Sequence, residues 1–207
     1  MINTFKKLTK AEQKKMAETL SEAFHSHDNF VYLIENDEKR KRSATLLFQF
    51  MTKVMNKYGH IYVVYEKDEA VGYITFMDDK KNKLDAKTVF LSNALWKAAR
   101  FWLSISHKER QKYSSYMKKY NELDRKPDNY IHLYYTGIKN EYRGKGLMKK
   151  AMSEALEQYK SQGYIGVCLE TSDKSNVGLY KHLGYQVTQS VKTIDERQEI
   201  FFFEKRF

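Results

Sequence analysis

The sequence predicts a mixed α/β domain built around one sheet. Three observations carry that reading. Stretches whose apolar residues recur every three or four positions alternate with short runs rich in Val, Ile, Tyr and Phe. Their order is helices, hairpin, helices, then strand–helix–strand–helix–strand–strand, the pattern of a single sheet with helices packed on it. The 207 residues are 42% hydrophobic and 14% aromatic, too apolar for a disordered chain. A chain of this length can bury about 70% of its unfolded surface without disulfides or structural metal. Residues 1–207 are therefore expected to form one domain, with a helical insertion at about 80–125.

Residues 9–25 place Met16, Leu20, Ala23 and Phe24 on one helical face. Residues 43–58 do so more strongly, with Ala44, Leu47, Phe48, Met51, Val54, Met55 and Tyr58 in phase, and Gly59 is placed to end that helix. HIYVVYEKDEAVGYITFM reads as two strands joined by the polar turn Glu66 to Glu69. Residues 87–106 predict a helix with Leu91, Ala94, Leu95, Ala98, Trp102 and Ile105 facing the core. Trp96 falls off that stripe and is the better candidate to line a pocket. A shorter helix over 109–123 carries Tyr113, Tyr116, Met117, Tyr120 and Leu123. Pro127 marks the break before a strand at 131–138. A helix at 147–162, a strand at 164–170, a helix at about 175–183 capped by Gly184, and strands at 185–192 and 199–205 complete the chain. Phe201 to Phe203 are unusual for a strand with one solvated face. Either both faces are covered within the fold, or the strand joins a partner chain; the second reading predicts a homodimer.

Composition excludes several function classes. A single Cys removes disulfide frameworks and the usual Cys-based zinc sites, and Cys168 lies in an apolar strand, as a core residue would. His25 and His27 lack further ligands in reach, so no metal is expected. No apolar run approaches the roughly 18 residues of a membrane span, and MINTFKKLTK has no apolar leader segment; a cytoplasmic protein with no membrane partner is expected. The net charge of +11 would suit a polyanion or a small polyanionic ligand such as a nucleotide cofactor. The basic residues are mostly scattered pairs, which argues against a nucleic-acid groove.

The chemistry concentrates in NEYRGKGLMKKAM at 140–152. A strand ends near Ile138, a glycine-containing loop follows, and a helix starts near Leu147. Gly144 and Gly146 permit backbone angles that turn successive N–H groups into one cavity. The unpaired N–H groups of the new helix add to it, with the helix dipole behind them. Such a cavity wants a phosphate or pyrophosphate, with Arg143 and Lys145 supplying charge at its rim. The next strand ends in Leu169-Glu170-Thr171. The helix after it places Asn176 and Tyr180, four apart, on one face, before Gly184-Tyr185.

This arrangement resembles the GNAT-type N-acetyltransferase superfamily. Its cofactor loop, R/Q-x-x-G-x-G/A, reads here as Arg143, Gly144, Lys145, Gly146, Leu147, Met148. The last position departs from the pattern, with Met in place of Gly or Ala. The later N-x-x-x-Y signature reads as Asn176 and Tyr180. AFHSHDNFVYLIENDEKRKR, YGHIYVV, HLYYTGIKNEYRGKGLM and LETSDKSNVGLYKHLGYQV in this order look like the puromycin N-acetyltransferase-like branch. The resemblance implies a central, mostly antiparallel sheet splayed at a cofactor cleft and flanked by helices. It implies acetyl-CoA as acyl donor, with its pyrophosphate on residues 143–148 and its pantetheine arm along Tyr135, Thr136, Gly137 and Ile138. Asn176 and Tyr180 complete that set.

By the same resemblance the acyl group passes directly to an amine on a small molecule. An alkylamine with a pKa near 10.4 is protonated at pH 7, and freeing its lone pair costs about 4–5 kcal/mol. Glu170, His132 or a water leading to one of them is the candidate base, and Tyr180 the candidate acid for the leaving thiolate. A noncatalytic acyl-CoA-binding module, a basic nucleic-acid-binding protein and a protein-lysine acetyltransferase are the alternatives.

Overall fold

The computed structural model describes residues 3–123, 127–193 and 195–207. Seven strands form one sheet. They are β1 (Thr4–Phe5), β2 (His60–Glu66), β3 (Glu69–Met77), β4 (Tyr130–Ile138), β5 (Gly166–Thr171), β6 (Gln186–Lys192) and β7 (Glu199–Arg206), in spatial order β1-β2-β3-β4-β5-β7-β6. The β2–β3 hairpin closes through Lys67 and Asp68, whose φ of 46° and 68° give the turn the twist its strands require. Every neighbouring pair is antiparallel except β4 with β5. That pair is joined only at Tyr130–Gly166, Ile131–Val167 and His132–Cys168. Beyond His132 the two strands part, which is the splay the sequence resemblance implied.

Alternation along the strands divides the core between two faces. On one, Ile74, Ile131, Leu133, Val167, Leu169 and Phe203 pack against α7 (Leu147–Ser161), and partly buried Tyr180 of α8 (Lys174–His182) joins them. On the other, Ile61, Val63, Tyr73 and Met77 meet α1 (Lys10–Phe24) and α3 (Asp37–Tyr58), which bring Met16, Leu20, Phe48 and Met55. Gly137 is where α1 crosses β4. A Cβ there would stand 2.8 Å from Leu20 Cδ2 and 3.0 Å from the Ala23 methyl, so helix and strand approach this closely only over glycine.

Among the described residues three helices stand between β3 and β4: α4 (Ala86–Leu91), α5 (Leu95–Ser104) and α6 (His107–Leu123). The single helix expected at 87–106 is two, divided at Asn93, whose φ is 59°. The break resets the helical phase, so the expected core stripe holds only at Ala94 and Ile105, which are buried. Leu91, Leu95 and Trp102 are 45%, 50% and 39% exposed, while Phe101, which lay off the stripe, is buried. Trp96 stands 73% exposed, in solvent rather than in a closed pocket.

The Phe201–Phe203 question also resolves. β7 lies between β5 and β6 with both edges paired. Phe201 and Phe203 face the α7 core, and α6 covers Phe202 with Tyr116 and Tyr120. Both faces are therefore covered within the fold, and the homodimer expected through this strand loses its reason. The sequence reading also missed β1 and the short α2 (Asp28–Leu33), whose N-cap is His27.

That cap makes stability depend on pH. His27 Nδ1 accepts the Asn29 N–H at 3.4 Å, and burial holds the imidazole below its ordinary pKa despite the charges of Asp173 and Asp28. The unfolded chain takes up this proton near pH 6.5 and the folded one only at lower pH. The stabilisation is complete above about pH 6.5 and lost as pH falls below it. Urea midpoints should therefore drop between about pH 7.5 and pH 5.5. His27→Asn, which keeps a capping acceptor, should flatten that drop; an unchanged slope would exclude His27 as its source.

Candidate active site

The parting of β4 from β5 is prepared by a bulge. Thr75 pairs with Tyr135 and Phe76 with Leu133, so Tyr134 is the extra residue. Thr75 repairs the interrupted ladder: its Oγ1 accepts the Tyr135 N–H at 2.9 Å and donates to the Tyr135 carbonyl at 3.2 Å. The bulge places Tyr134 and Tyr135 together on the α1/α3 face. Such a bulge re-aims side chains and ends pairing.

At the parting, on the face away from α7, lie His132 and Glu170. Val167 and Leu169 enter the α7 core, so alternation sends Cys168 and Glu170 to the opposite side. His132 is 1% exposed. Its Nε2 lies 2.9 Å from Glu170 Oε2 and its Nδ1 2.7 Å from Asp79 Oδ2. Tyr120, from α6, donates to Glu170 Oε1 at 2.7 Å, and Tyr134 donates to Asp79 Oδ1 at 2.8 Å. Two carboxylates thus hold one imidazole, and one phenol holds each carboxylate.

Proton counting defines what this chain can do. A neutral imidazole has one N–H, yet both nitrogens face carboxylate oxygens. Either the ring is an imidazolium, or one carboxyl keeps a proton. The three groups share that proton along one hydrogen-bonded chain. With one shared proton the cluster carries a net charge of −1 and can take up one more. Burial, with Asp79 beside it, pushes the Tyr134 phenol far above its ordinary pKa, so it remains a donor. Glu170 also acts on Tyr116, Tyr135 and Tyr180, whose phenols burial raises first and its charge raises further. Those tyrosines come from α6, β4 and α8, and Glu170 lies among them.

A second feature is the turn between β4 and α7. After one 3₁₀ turn at Asn140–Tyr142, Gly144 and Gly146 take φ of 75° and 74°, values a residue with a Cβ adopts only under strain. A Cβ at either position would meet nothing within 4 Å. These glycines therefore serve the backbone angle, and the space above them is open. α7 starts at Gly146 with no side-chain cap, leaving first-turn N–H groups for an anion. Arg143 and Lys145 are exposed, with the Lys145 ammonium 4.8 Å from the Tyr142 ring centre. Met148 is half-buried, packed against the α7 core; its side chain turns inward, so the departure at this loop position leaves the outer face clear. Thr136 Oγ1, on the part of β4 beyond the splay, is buried with no hydrogen-bond partner.

Asn176 and Tyr180 are half-buried on α8. Tyr180 packs edge-on against Tyr185 and tilts against Phe203, each at 5.5 Å. Gly184, with φ of 84°, ends that helix as expected. Of the expected site residues, His132 and Glu170 are brought into direct contact; residues 135–138 lie on β4 beyond its pairing with β5, residues 143–148 form the turn into α7, and Asn176 and Tyr180 stand on α8. Gly137 has the packing role described above, and Cys168 is a buried core residue, as expected.

Sequence reasoning missed Asp79, Tyr134 and Tyr120. Asp79 had a signal: a pair of carboxylates ends the apolar strand β3. The pair divides its work, for Asp78 accepts from Tyr164 and the Lys80 N–H in the turn while Asp79 takes His132. Tyr120 had none, since it fitted a core stripe.

Comparison with known proteins adds a family likeness. The model of the acetyltransferase (GNAT) family matches residues 10–185. An uncharacterized N-acetyltransferase of Schizosaccharomyces pombe is 24% identical over 205 residues, covering 94% of this chain and 79% of its own length. Among solved structures, a histone acetyltransferase HPA2 and related acetyltransferase of Corynebacterium glutamicum is similar with a TM-score of 0.62 and 18% identity, covering 99% and 96% of the two chains. The PaiA N-acetyltransferase of Thermoplasma acidophilum, solved with coenzyme A, has a TM-score of 0.58 and 14% identity over the full length of both.

Proposed function

This chain belongs to the acetyltransferase (GNAT) family, and from that premise we propose that it transfers an acetyl group from acetyl-CoA to the amine of a small molecule. The family uses acetyl-CoA, and the residues present fit it. The open space over Gly144 and Gly146, the uncapped start of α7 and the unpartnered Thr136 hydroxyl are the features such a ligand would engage. Backbone N–H groups of residues 143–148 would hold the pyrophosphate, with Arg143 and Lys145 at its rim. Tyr135, Thr136, Gly137 and Ile138 would line the pantetheine arm, with Asn176 and Tyr180 beside it. When bound, acetyl-CoA supplies the activated acyl group.

The observation that carries the reading is the Glu170–His132–Asp79 chain at the point where β4 leaves β5. An incoming ammonium must lose a proton at a cost of about 4–5 kcal/mol at pH 7. In this reading Glu170 accepts that proton, directly or through a water, and His132 and Asp79 spread the gained charge. Both carboxylates favour a cationic acceptor electrostatically. The finer resemblance, to the puromycin N-acetyltransferase-like branch, agrees with the helices between β3 and β4 and leaves the acceptor to be found by screening. Thiol release from acetyl-CoA across a panel of alkyl, aryl and aminonucleoside amines tests the proposal. Turnover with a small amine supports it; coenzyme A binding with no turnover on any amine rejects it.

Tyr180 is the candidate donor to the departing sulfur. Burial, with the charges of Glu170 and Asp173, pushes its phenol up to about 12. Since a thiol titrates near 8.5, full proton transfer runs uphill, and Tyr180 acts by donating a hydrogen bond to the thiolate. Tyr180→Phe should lower turnover at least roughly tenfold, about 1.4 kcal/mol of barrier. Rapid-mixing and steady-state assays would check it, and an unchanged kcat removes the role.

A further inference from the structure

Helix α5 is turned the wrong way round for a helix that packs on a core. Positions 95, 96, 99, 102 and 103 share one face of its turn, and that face is in solvent. Leu95 is 50% exposed, Trp96 73%, Trp102 39% and Leu103 72%. Phe90 and Leu91, at the end of α4 just before it, are 64% and 45% exposed. Within α5 only Phe101 is buried, so the helix holds to the protein by its narrower side. Exposed apolar side chains grouped in this way mark an interaction surface.

The charge around them restricts the partner. Residues 80–112 contain nine Lys and Arg and only two Asp and Glu, a net of +7. Lys80, Lys81 and Lys112 are paired with Asp128, Asp78 and Glu35 from outside the segment, and the other six cations are Lys83, Lys87, Lys97, Arg100, Lys108 and Arg110. Both acids are already engaged: Asp85 caps α4 through the Thr88 N–H at 2.8 Å, and Glu109 is ion-paired with Lys39. Cations also stand at the rim of the apolar face. The Arg110 guanidinium lies 5.5 Å from the Trp102 ring centre, and the Lys57 ammonium is bonded to the Leu91 carbonyl.

We propose that the α4–α5 face docks onto an anionic phospholipid surface, with its Phe, Leu and Trp side chains entering the headgroup boundary and its cations meeting lipid phosphates. A bilayer interface takes both halves of this surface, since Trp, Phe and Leu settle at the headgroup level and Lys and Arg gain from anionic lipid. A second copy of the chain would set one cationic rim against another. A nucleic acid would meet the cations but leave the leucines against phosphates. Among the described residues no helix is long and apolar enough to cross a membrane; this contact lies on the surface.

The chain carries its own reporter, because its two tryptophans, Trp96 and Trp102, are both in α5. The full-length protein would be titrated with vesicles of equal parts phosphatidylcholine and phosphatidylglycerol, and with phosphatidylcholine alone. A fluorescence blue shift and co-sedimentation with the anionic vesicles only, weakened by salt, is expected. Leu95→Ser with Leu103→Ser keeps every charge and both tryptophans, and should bind roughly tenfold more weakly. An unchanged melting temperature would verify its fold, since both side chains are exposed. No blue shift, equal binding by the variant, or an equal blue shift on a DNA duplex would each overturn the proposal. So would a dimer in sedimentation velocity that the variant abolishes.

Discussion

Glu170→Gln should lower kcat/KM for the amine about a hundred-fold or more while coenzyme A affinity stays unchanged. The substitution keeps the shape of the side chain, and an amide oxygen still accepts the Tyr120 hydroxyl that Glu170 holds at 2.7 Å. What it removes is the ability to take a proton. The loss should therefore depend on pH. As pH rises toward the amine's own pKa near 10.4, the free-base fraction grows about tenfold per unit, and the variant should regain ground on the parent at that rate. Steady-state rates measured from neutral to alkaline pH would read this directly. A parallel drop at every pH would mean that Glu170 positions and does not accept. No drop would move the base to His132 or to water. Asp79→Asn should have a smaller effect of the same kind, because Asp79 reaches the amine only through His132.

Gly146→Trp should abolish measurable coenzyme A binding while leaving the apo protein folded. Two effects combine. A residue with a Cβ pays on the order of 1–2 kcal/mol to hold the left-handed angle seen at Gly146. The indole would then fill the open space over the loop, where a Cβ meets nothing within 4 Å and first-turn N–H groups of α7 lack a side-chain cap. Because the space is open, nothing in the core must move, and the melting temperature should fall only by the few degrees that the backbone strain costs. Calorimetric titration of acetyl-CoA into both proteins would decide it. An unaltered Kd would mean that the glycines serve only the turn. Lys145→Ala is the graded companion: its ammonium is exposed, so it should weaken binding modestly and in a salt-dependent way.

The glycine loop and the chain of carboxylates differ in how far they could be read from sequence. The loop, α7, the β2–β3 hairpin and α8 are local objects. Their signals are two glycines before a periodic stretch, a polar turn between apolar runs, and an Asn and a Tyr four residues apart. Each lies within a window that the backbone's own periodicity spans. Chain order then placed Glu170 and His132 on adjacent strands of the expected fold. Their direct contact was not legible, nor was the identity of Asp79 as the partner on the other ring nitrogen. His132 is 53 residues from Asp79 and 38 from Glu170, and Tyr120 is 50 from Glu170.

Two failures have the same origin. The helix drawn over 87–106 took its core face from one unbroken phase, and a single left-handed residue at Asn93 turned the remainder through a different angle. Phe202 looked unpartnered because nothing near it in sequence could cover it; α6, which does, ends 79 residues earlier, at Leu123. The sequence by itself determined most of the helices and strands, though not β1, α2 or the break between α4 and α5, and where an anion-binding turn would form, because those depend on neighbours within a few residues. The tertiary structure decided which side chains share a proton, which helix face meets water and which strand edge stays open, because these depend on the sheet bringing distant residues within 3 Å of one another.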